Sequence, residues 1–199
     1  MSIPTFKNRE NELVKLEDGR KVWLSRGCSV SIPVSAIDEE GQIYSLVSIR
    51  GHRAAKFRGY LNLICGYLDY DETIEEAAKR ELFEESGLNY EDIEKTDIIF
   101  DLKDPWLIMS KPNNGEQTVN FRFGLFFKVK DQEALPELSN KYCAYGEVKK
   151  SYWEKHEEVL NVKDSFEEDN LDIKKELIWG FNHFDLYREW FKKLESYKF

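Results

Sequence analysis

Residues 66–88 read GYLDYDETIEEAAKRELFEESGL, and this stretch decides the predicted fold. On a helix that turns by about 100° per residue, Glu81, Glu84 and Glu85 fall on one face. The apolar side chains of the preceding turns share that face: Ile74, Ala77 and Ala78. The acids therefore continue an apolar stripe, which a merely solvated acidic helix would not do.

Residues at both ends of this segment mark the limits of a helix. Thr73, followed three residues later by Glu76, forms a capping-box pattern, and Gly87 is the residue type favoured just past a helix end. The sequence therefore predicts a helix over about residues 73–86.

Three carboxylates that face inward need a compensating cation, because burying unpaired charge is costly. Ligand sets made only of oxygen favour hard ions such as Mg²⁺ or Mn²⁺ over zinc. Before the helix, residues 60–65 read as a strand and residues 66–72 as a tight acidic loop. Strand, loop and helix are together predicted to form a cup for a metal ion and a phosphate group.

The same residues resemble the signature of the Nudix hydrolases, which cleave a nucleoside diphosphate linked to a variable group X. The match is complete at all nine signature positions and covers 23 of the 199 residues. The resemblance implies an α/β fold, a three-layer α/β/α sandwich with a mixed β-sheet. It also implies a Mg²⁺ or Mn²⁺ cofactor held by the positions that match the family's ligands: Glu81, Glu84, Glu85 and the backbone carbonyl of Cys65.

Catalysis in such a site combines a metal ion, which neutralises charge at phosphorus and makes a nucleophilic water available, with a carboxylate that orients or deprotonates that water. Glu81, Glu84 and Glu85 are the predicted catalytic glutamates. Arg80 is grouped with them as the residue that pairs with a glutamate and fixes its rotamer. The general base stays open between a helix glutamate and three later acids: Glu116, Glu147 and Glu158.

A basic loop, residues 50–58, accompanies the acidic signature. Arg50, Arg53, Lys56 and Arg58 occur within nine residues, in a chain whose formal net charge is -9. We interpret Arg50, Arg53 and Arg58 as substrate-binding residues, because guanidinium groups bind pairs of phosphate oxygens. The alternative, a solvated hairpin loop without a ligand, stays open.

Composition limits the class of protein. With 41% hydrophobic and 14% aromatic residues, the chain suits one globular domain, predicted to span residues 1–199. The net charge of -9 argues against a nucleic-acid partner, and no apolar run approaches the roughly 20 residues that cross a bilayer. Cys28, Cys65 and Cys143 show no zinc or redox spacing, which favours a cytoplasmic protein. These properties are compatible with a homodimer.

Apolar periodicity predicts the scaffold. Alternating residues predict strands at residues 30–34, 42–49, 97–102 and 121–129. Helical spacing predicts a late helix over about residues 176–197, despite the interior Gly180. The turn-rich segment 105–115 is predicted to be a connection, and the tryptophans at positions 153 and 179 are predicted to pack rather than to bind a base.

The identity of X is the least determined feature. The string typical of members that cleave NADH is absent, and Ala55 stands where members that cleave coenzyme A carry an arginine. Pro105 lies near the position of a proline common in members that cleave ADP-ribose. We therefore expect Mg²⁺-dependent hydrolysis of the pyrophosphate bond in a nucleotide substrate such as ADP-ribose or a nucleotide sugar. The alternative is a non-catalytic nucleotide-binding sensor, although such proteins usually lose signature glutamates that are all present here.

Overall fold

Mixed β-sheets form the centre of the molecule, a computed structural model that describes residues 12–24, 27–113, 116–139, 146–164, 178–181 and 183–196. The strands are β1 (Glu12–Lys15), β2 (Lys21–Leu24), β3 (Cys28–Ile32), β4 (Val34–Ile37), β5 (Ile43–Arg50), β6 (Leu61–Asn62), β7 (Ile64–Tyr67), β8 (Ile98–Phe100), β9 (Leu107–Asn113), β10 (Glu116–Arg122), β11 (Leu125–Lys128), β12 (Val148–Lys155), β13 (Lys163–Asp164) and β14 (Ile178–Trp179). The helices are α1 (Ile74–Ser86), α2 (Tyr90–Ile93), α3 (His156–Leu160) and α4 (His183–Glu195).

In the part of the chain that the structure describes, two sheets form the fold, beside a small β1–β2 hairpin. A four-stranded sheet has the order β7-β3-β10-β9, and a larger sheet has the order β13-β14-β6-β5-β4-β11-β8, with β12 paired to β5. The pairs β3–β10 and β4–β11 are parallel, whereas β3–β7 and β4–β5 are antiparallel. The predicted mixed β-sheet is therefore confirmed.

Within the described residues, three chain segments pass from one sheet to the other, so strands that the sequence predicts as continuous are each divided in two. The breaks lie at Pro33, at Leu63 and at residues 123–124. Pro33 has no N–H to offer a neighbouring strand, although its carbonyl accepts a hydrogen bond from Leu125. The backbone N–H of Leu63 donates to His183 Nδ1 at 3.2 Å, which ties the break to the start of α4.

Helices cover both faces of the larger sheet. On one face, Val34, Leu46 and Phe127 pack with residues of α1 and α2 in the largest buried cluster. On the other face, Trp179 and residues of α3 and α4 pack against β5 and β6, and Trp190 of α4 packs against Phe126. This arrangement confirms the predicted three-layer α/β/α sandwich.

The late helix begins further along the chain than its apolar spacing predicts. Residues 178–179 form β14, Gly180 lies in a turn and α4 begins at His183; residues 176 and 177 lie outside the described chain. Gly180 is not part of the helix, because its N–H donates a hydrogen bond to the carbonyl of Leu61 at the edge of the sheet. The helical spacing of apolar residues is a local pattern, so it does not predict pairing with a distant segment of the chain.

The segment predicted to be a connection is partly a strand. Residues 107–113 form β9, which pairs with β10 in antiparallel register from Leu107–Arg122 to Asn113–Glu116. Both tryptophans pack, as predicted: Trp179 is fully buried, and Trp153 packs on the main core and donates to the carbonyl of Pro136 at 3.0 Å. No helix in the described part of the chain is long and apolar enough to cross a membrane.

Candidate active site

Helix α1 has the local structure that its sequence predicts. The Thr73 hydroxyl accepts a hydrogen bond from the N–H of Glu76 at 3.2 Å, and the Glu76 carboxylate accepts one from the N–H of Thr73 at 2.7 Å. Gly87 ends the helix with a φ of 76°, in the left-handed region where glycine is favoured. This capping fixes which side chains of α1 face β3, β7 and β12.

The carboxylates of α1 differ in their exposure. Glu81 and Glu85 are buried, at 9% and 6% exposed, whereas the side chain of Glu84 is 36% exposed. Ala77 and Ala78 are fully buried on the same face, and Ile74 packs against the core. The predicted inward stripe is therefore present, and its last turn presents Glu84 toward solvent.

Gly66 lies in strand β7 rather than in the predicted loop, and it provides the space for Glu81. A Cβ atom at this position would lie 1.8 Å from Glu81 Oε1 and 2.1 Å from its Cδ. Only a glycine therefore allows the carboxylate to lie directly on the strand.

Arg80 is almost fully buried and uses all five of its N–H groups. Its Nε and Nη2 donate to the two carboxylate oxygens of Glu72 at 3.0 and 2.8 Å, and Nη2 also donates to the carbonyl of Tyr67 at 2.8 Å. Its Nη1 donates to Glu81 Oε1 at 2.7 Å and to Glu84 Oε2 at 3.0 Å. Arg80 thus joins the 68–72 loop to two helix carboxylates, in the geometry expected for a residue that fixes glutamate rotamers.

Burial dominates the electrostatics of the two inward glutamates. Burial, together with the charge of Glu84, raises the pKa of Glu81 to about 7 against the opposing charge of Arg80. Burial and the neighbouring Glu81 also raise the pKa of Glu85 well above its usual range. Buried carboxylates without enough compensating positive charge take up protons. The raised pKa values of Glu81 and Glu85 are therefore expected at a site where a bound cation would compensate their charge.

The corner at Cys65 joins strand β7 to Glu85. The backbone N–H of Cys65 donates to Glu85 Oε2 at 3.1 Å, and its sulfur accepts a bond from Asn62 Nδ2 at 3.5 Å. Burial and the Glu85 carboxylate raise the pKa of the Cys65 thiol, so the side chain stays protonated at neutral pH. A thiol is a soft ligand, whereas Mg²⁺ and Mn²⁺ prefer oxygen, which leaves the backbone carbonyl as the donor expected at this residue.

Of the three arginines predicted to bind substrate, Arg50 acts electrostatically on one helix carboxylate, that of Glu85. Its charge lowers the pKa of Glu85, although burial and Glu81 have the larger, opposite effects. Arg53 is exposed and its N–H donates to the carbonyl of Gly146, while Arg58 donates to the carbonyl of Ala54 within the basic loop. Neither Arg53 nor Arg58 makes a contact with the helix carboxylates in the described part of the chain.

Among the later acids considered as general base, Glu147 also acts electrostatically on Glu85. Its charge raises the pKa of Glu85, and its carbonyl accepts a hydrogen bond from Gly51 at 2.6 Å. Glu158 is exposed on α3, and Glu116 begins β10, with its side chain outside the described part. Of the two later acids whose side chains are described, Glu147 is therefore a better candidate than Glu158.

The donor set fits a hard divalent ion in its chemistry. Glu81, Glu85 and the Cys65 carbonyl supply oxygen ligands, and the absent Cβ of Gly66 keeps one carboxylate close to the strand. Within the described residues, no three His, Cys, Asp or Glu side chains already surround one position closely enough to hold an ion. Arg80 accounts for part of this, because it holds Glu81 and Glu84 by hydrogen bonds.

Sequence reasoning missed two groups that hold the site in place. Ser151 of β12 donates from its hydroxyl to the carbonyl of Glu85 at 2.6 Å, and Phe181 places its ring 4.8 Å from the Arg50 guanidinium carbon. Both contacts join segments far apart in the sequence. Strand β12, which carries Ser151, was not predicted from the sequence, so neither contact could be anticipated.

Comparison with protein families identifies the chain. The model of the NUDIX domain matches residues 29–177, which is well over half of the sequence. The chain belongs to the Nudix family. This membership confirms the family that the signature predicts, and a search of the curated proteins gave no match.

Solved structures with the Nudix fold resemble this chain at low sequence identity. RenU, a Nudix hydrolase from M. smegmatis, has a TM-score of 0.58 and 15% identity, over 94% of this chain and 97% of its own. The Ap4A hydrolase of C. elegans has a TM-score of 0.54 and 14% identity, over 85% and 98%. A MutT/nudix family protein from Enterococcus faecalis has a TM-score of 0.56 and 15% identity, over 85% of this chain but 62% of its own length. The family match, with neighbours described as hydrolases, supports the predicted enzyme class, a Nudix hydrolase.

Proposed function

We propose that this protein hydrolyses the pyrophosphate bond of a nucleoside diphosphate linked to X, with Mg²⁺ or Mn²⁺ as cofactor. The observation that carries the proposal is the pair of buried carboxylates, Glu81 and Glu85, beside strand β7 and within the electrostatic reach of Arg50. Buried acids next to a cationic loop suit a substrate that brings both phosphate charge and a divalent ion.

Each residue has a defined part in this proposal. Glu81, Glu84, Glu85 and the Cys65 carbonyl would hold the metal, which supplies charge neutralisation at the phosphates. Arg80 holds Glu81 and Glu84 in place, so its role is to position ligands. The general base is a helix glutamate or Glu147, since Glu147 acts electrostatically on Glu85.

ADP-ribose and nucleotide sugars are the substrates that we place first. Pro105 lies near the position where members that cleave ADP-ribose carry a proline. Among the structural neighbours, the NUDIX domain of Shewanella oneidensis NrtR was crystallised with ADP ribose, at 15% identity and a TM-score of 0.52 over 84% of this chain and 87% of its own. We infer a partner that is a small nucleotide, and a homodimer in the cytoplasm stays a prediction.

Replacement of Glu85 by Gln tests the proposed chemistry. Gln has the shape of a protonated glutamate, the form that burial favours here, so the fold should survive. Because the amide is a weaker metal ligand and no base, turnover with Mg²⁺ should fall by orders of magnitude. Steady-state hydrolysis measures the loss, and thermal unfolding checks the fold.

Glu75→Gln is the matched control for this variant. Glu75 lies on the same helix but pairs with Lys79 at 2.6 Å, away from the carboxylates. Its turnover should equal that of the wild type. If Glu85→Gln also turned over substrate as fast as the wild type, the assigned role of Glu85 would be contradicted.

A panel of ADP-ribose, nucleotide sugars, dinucleoside polyphosphates and nucleoside triphosphates, each with Mg²⁺, identifies X by the mass of the products. We expect release of a nucleoside monophosphate from one class. Binding without hydrolysis across the whole panel would instead favour the nucleotide-binding sensor.

A further inference from the structure

Two phenylalanines with unusual backbone geometry meet beside the basic loop. Phe57 has a φ of 56° and Phe181 a φ of 55°, in the left-handed region that bulky side chains rarely adopt. In the described part of the chain, Asp71 is the one other non-glycine residue with a positive φ. Strained backbone of this kind persists where surrounding contacts hold it, and it concentrates at functional sites.

The rings of Phe57 and Phe181 hold two distant segments together. Their centroids lie 4.5 Å apart at an interplanar angle of 71°, an edge-to-face contact. Phe57 belongs to the basic loop, and Phe181 follows Gly180 in the turn between β14 and α4. A Cβ at Gly180 would lie 3.1 Å from the Cβ of Phe57, so this glycine allows the two segments to approach closely.

Arg50 is held at two points of this arrangement. Its guanidinium carbon lies 4.8 Å from the centroid of the Phe181 ring, and its Nε donates to the carbonyl of Lys56 at 2.9 Å. The Nη groups of Arg50 make no hydrogen bond to the described residues. The side chain is therefore fixed while its terminal donors remain able to bind a ligand.

Arg50 lies close in the fold to the proposed metal corner. It ends strand β5, which pairs with β6 shortly before the chain reaches Cys65. The ring of Phe181 also contacts the ring of His183, and His183 accepts a hydrogen bond from the N–H of Leu63, two residues before Cys65. The charge of Arg50 also acts on Cys65 and Glu85. A diphosphate bound at the carboxylates would thus find these donors at its side.

We propose that Phe181, supported by Phe57, is the positioning residue that holds Arg50 in place to bind the diphosphate of the substrate. The proposal rests on the proposed function, in which Arg50 is a phosphate-binding residue. It explains why a phenylalanine that is 44% exposed stands at a strained position in a turn. Phe181 acts through Arg50 and takes no part in the chemical step.

Inorganic pyrophosphate with Mg²⁺ is the probe for the test, because it carries the diphosphate without X. Calorimetry measures its dissociation constant. Phe181→Leu keeps an apolar side chain but removes the ring face, and we expect about threefold to fivefold weaker binding, the size of a cation–π contact at an exposed site. Phe181→Trp restores the ring and should bind within about twofold of the wild type.

Phe184→Leu is the matched control. Phe184 lies three residues further on, and its ring also contacts an arginine, Arg188, at 5.7 Å. This variant loses a contact of the same kind away from the basic loop, so its affinity for pyrophosphate should not change. Thermal unfolding of every variant separates loss of affinity from loss of the fold.

A double-mutant cycle distinguishes positioning from a general structural effect. If Phe181 acts through Arg50, adding Phe181→Leu to Arg50→Ala should weaken binding no further than Arg50→Ala alone. Additive losses, an unchanged affinity in Phe181→Leu, or no binding of pyrophosphate by the wild type would each overturn the proposal. Failure of the proposed hydrolysis is seen separately, as an inactive wild type on the nucleotide panel.

Discussion

At the scale of single residues, Gly66 and Arg80 determine how the helix carboxylates can be placed. Gly66 leaves no Cβ between strand β7 and the Glu81 carboxylate, and Arg80 binds that carboxylate together with Glu72 and Glu84. The sequence indicates both residues through the signature. Only the structure shows that the glycine is required by a close approach to Glu81 rather than by a turn.

Gly66→Ala should therefore impair activity more than stability. The added Cβ would lie 1.8 Å from the observed position of Glu81 Oε1, so the carboxylate would have to move. Misplacement of a catalytic group by about 1 Å can lower kcat on the order of a hundredfold. Steady-state kinetics with Mg²⁺ and the identified nucleotide measures the effect.

Gly41→Ala is the control, because it introduces backbone strain without a steric clash. Gly41 has a φ of 85°, but a Cβ there would contact nothing within 4 Å. This variant should lose about 1 kcal/mol of stability through backbone strain and keep its kcat. Normal kcat in Gly66→Ala would show that Glu81 does not need its observed position.

At the scale of elements, α1 was predictable because its information is local. The cap, the buried face and the final glycine all lie within residues 73–87 and follow from helical geometry. The strands that cross between sheets were predicted as continuous, because alternation of apolar residues persists through Pro33 and residues 123–124. Their division depends on partners elsewhere in the chain, such as Trp190, which would lie 2.2 Å from a Cβ at Gly124.

Thr73→Ala should destabilise α1 without changing its chemistry. Loss of the hydroxyl that accepts the hydrogen bond from Glu76 should cost about 1 kcal/mol in the free energy of unfolding. Thr73→Ser retains the acceptor and should be close to the wild type. Urea denaturation measures the difference, and an equally large loss in both variants would argue against the capping box.

At the scale of the whole molecule, α4 connects the far face of the sheet to the candidate site. His183 at its first position is buried, and its Nδ1 accepts the hydrogen bond of Leu63 at 3.2 Å. Burial, with smaller contributions from the charges of Arg50 and Arg122, lowers the pKa of His183 to about 3. Neutral His183 is therefore part of the native packing.

The stability of the protein should reflect this histidine as the pH falls. Below about pH 6.5 an unfolded histidine binds a proton that the folded state does not accept until about pH 3, so protonation favours unfolding. The advantage in stability of the wild type over His183→Gln should therefore shrink with decreasing pH, by up to about 1.4 kcal/mol per pH unit. Urea denaturation between pH 7.5 and 5 measures this difference, and parallel curves would contradict it.

The sequence by itself determined the Nudix signature, the limits of α1, the inward position of Glu81 and Glu85 and the mixed α/β class, because each depends on neighbours within one helix or one strand. Tertiary structure alone decided which arginine of the basic loop acts on Glu85, how Phe57 meets Phe181 and where three strands change sheets. These features arise from contacts between segments far apart in the chain, and the spacing of residues within one segment does not predict such contacts.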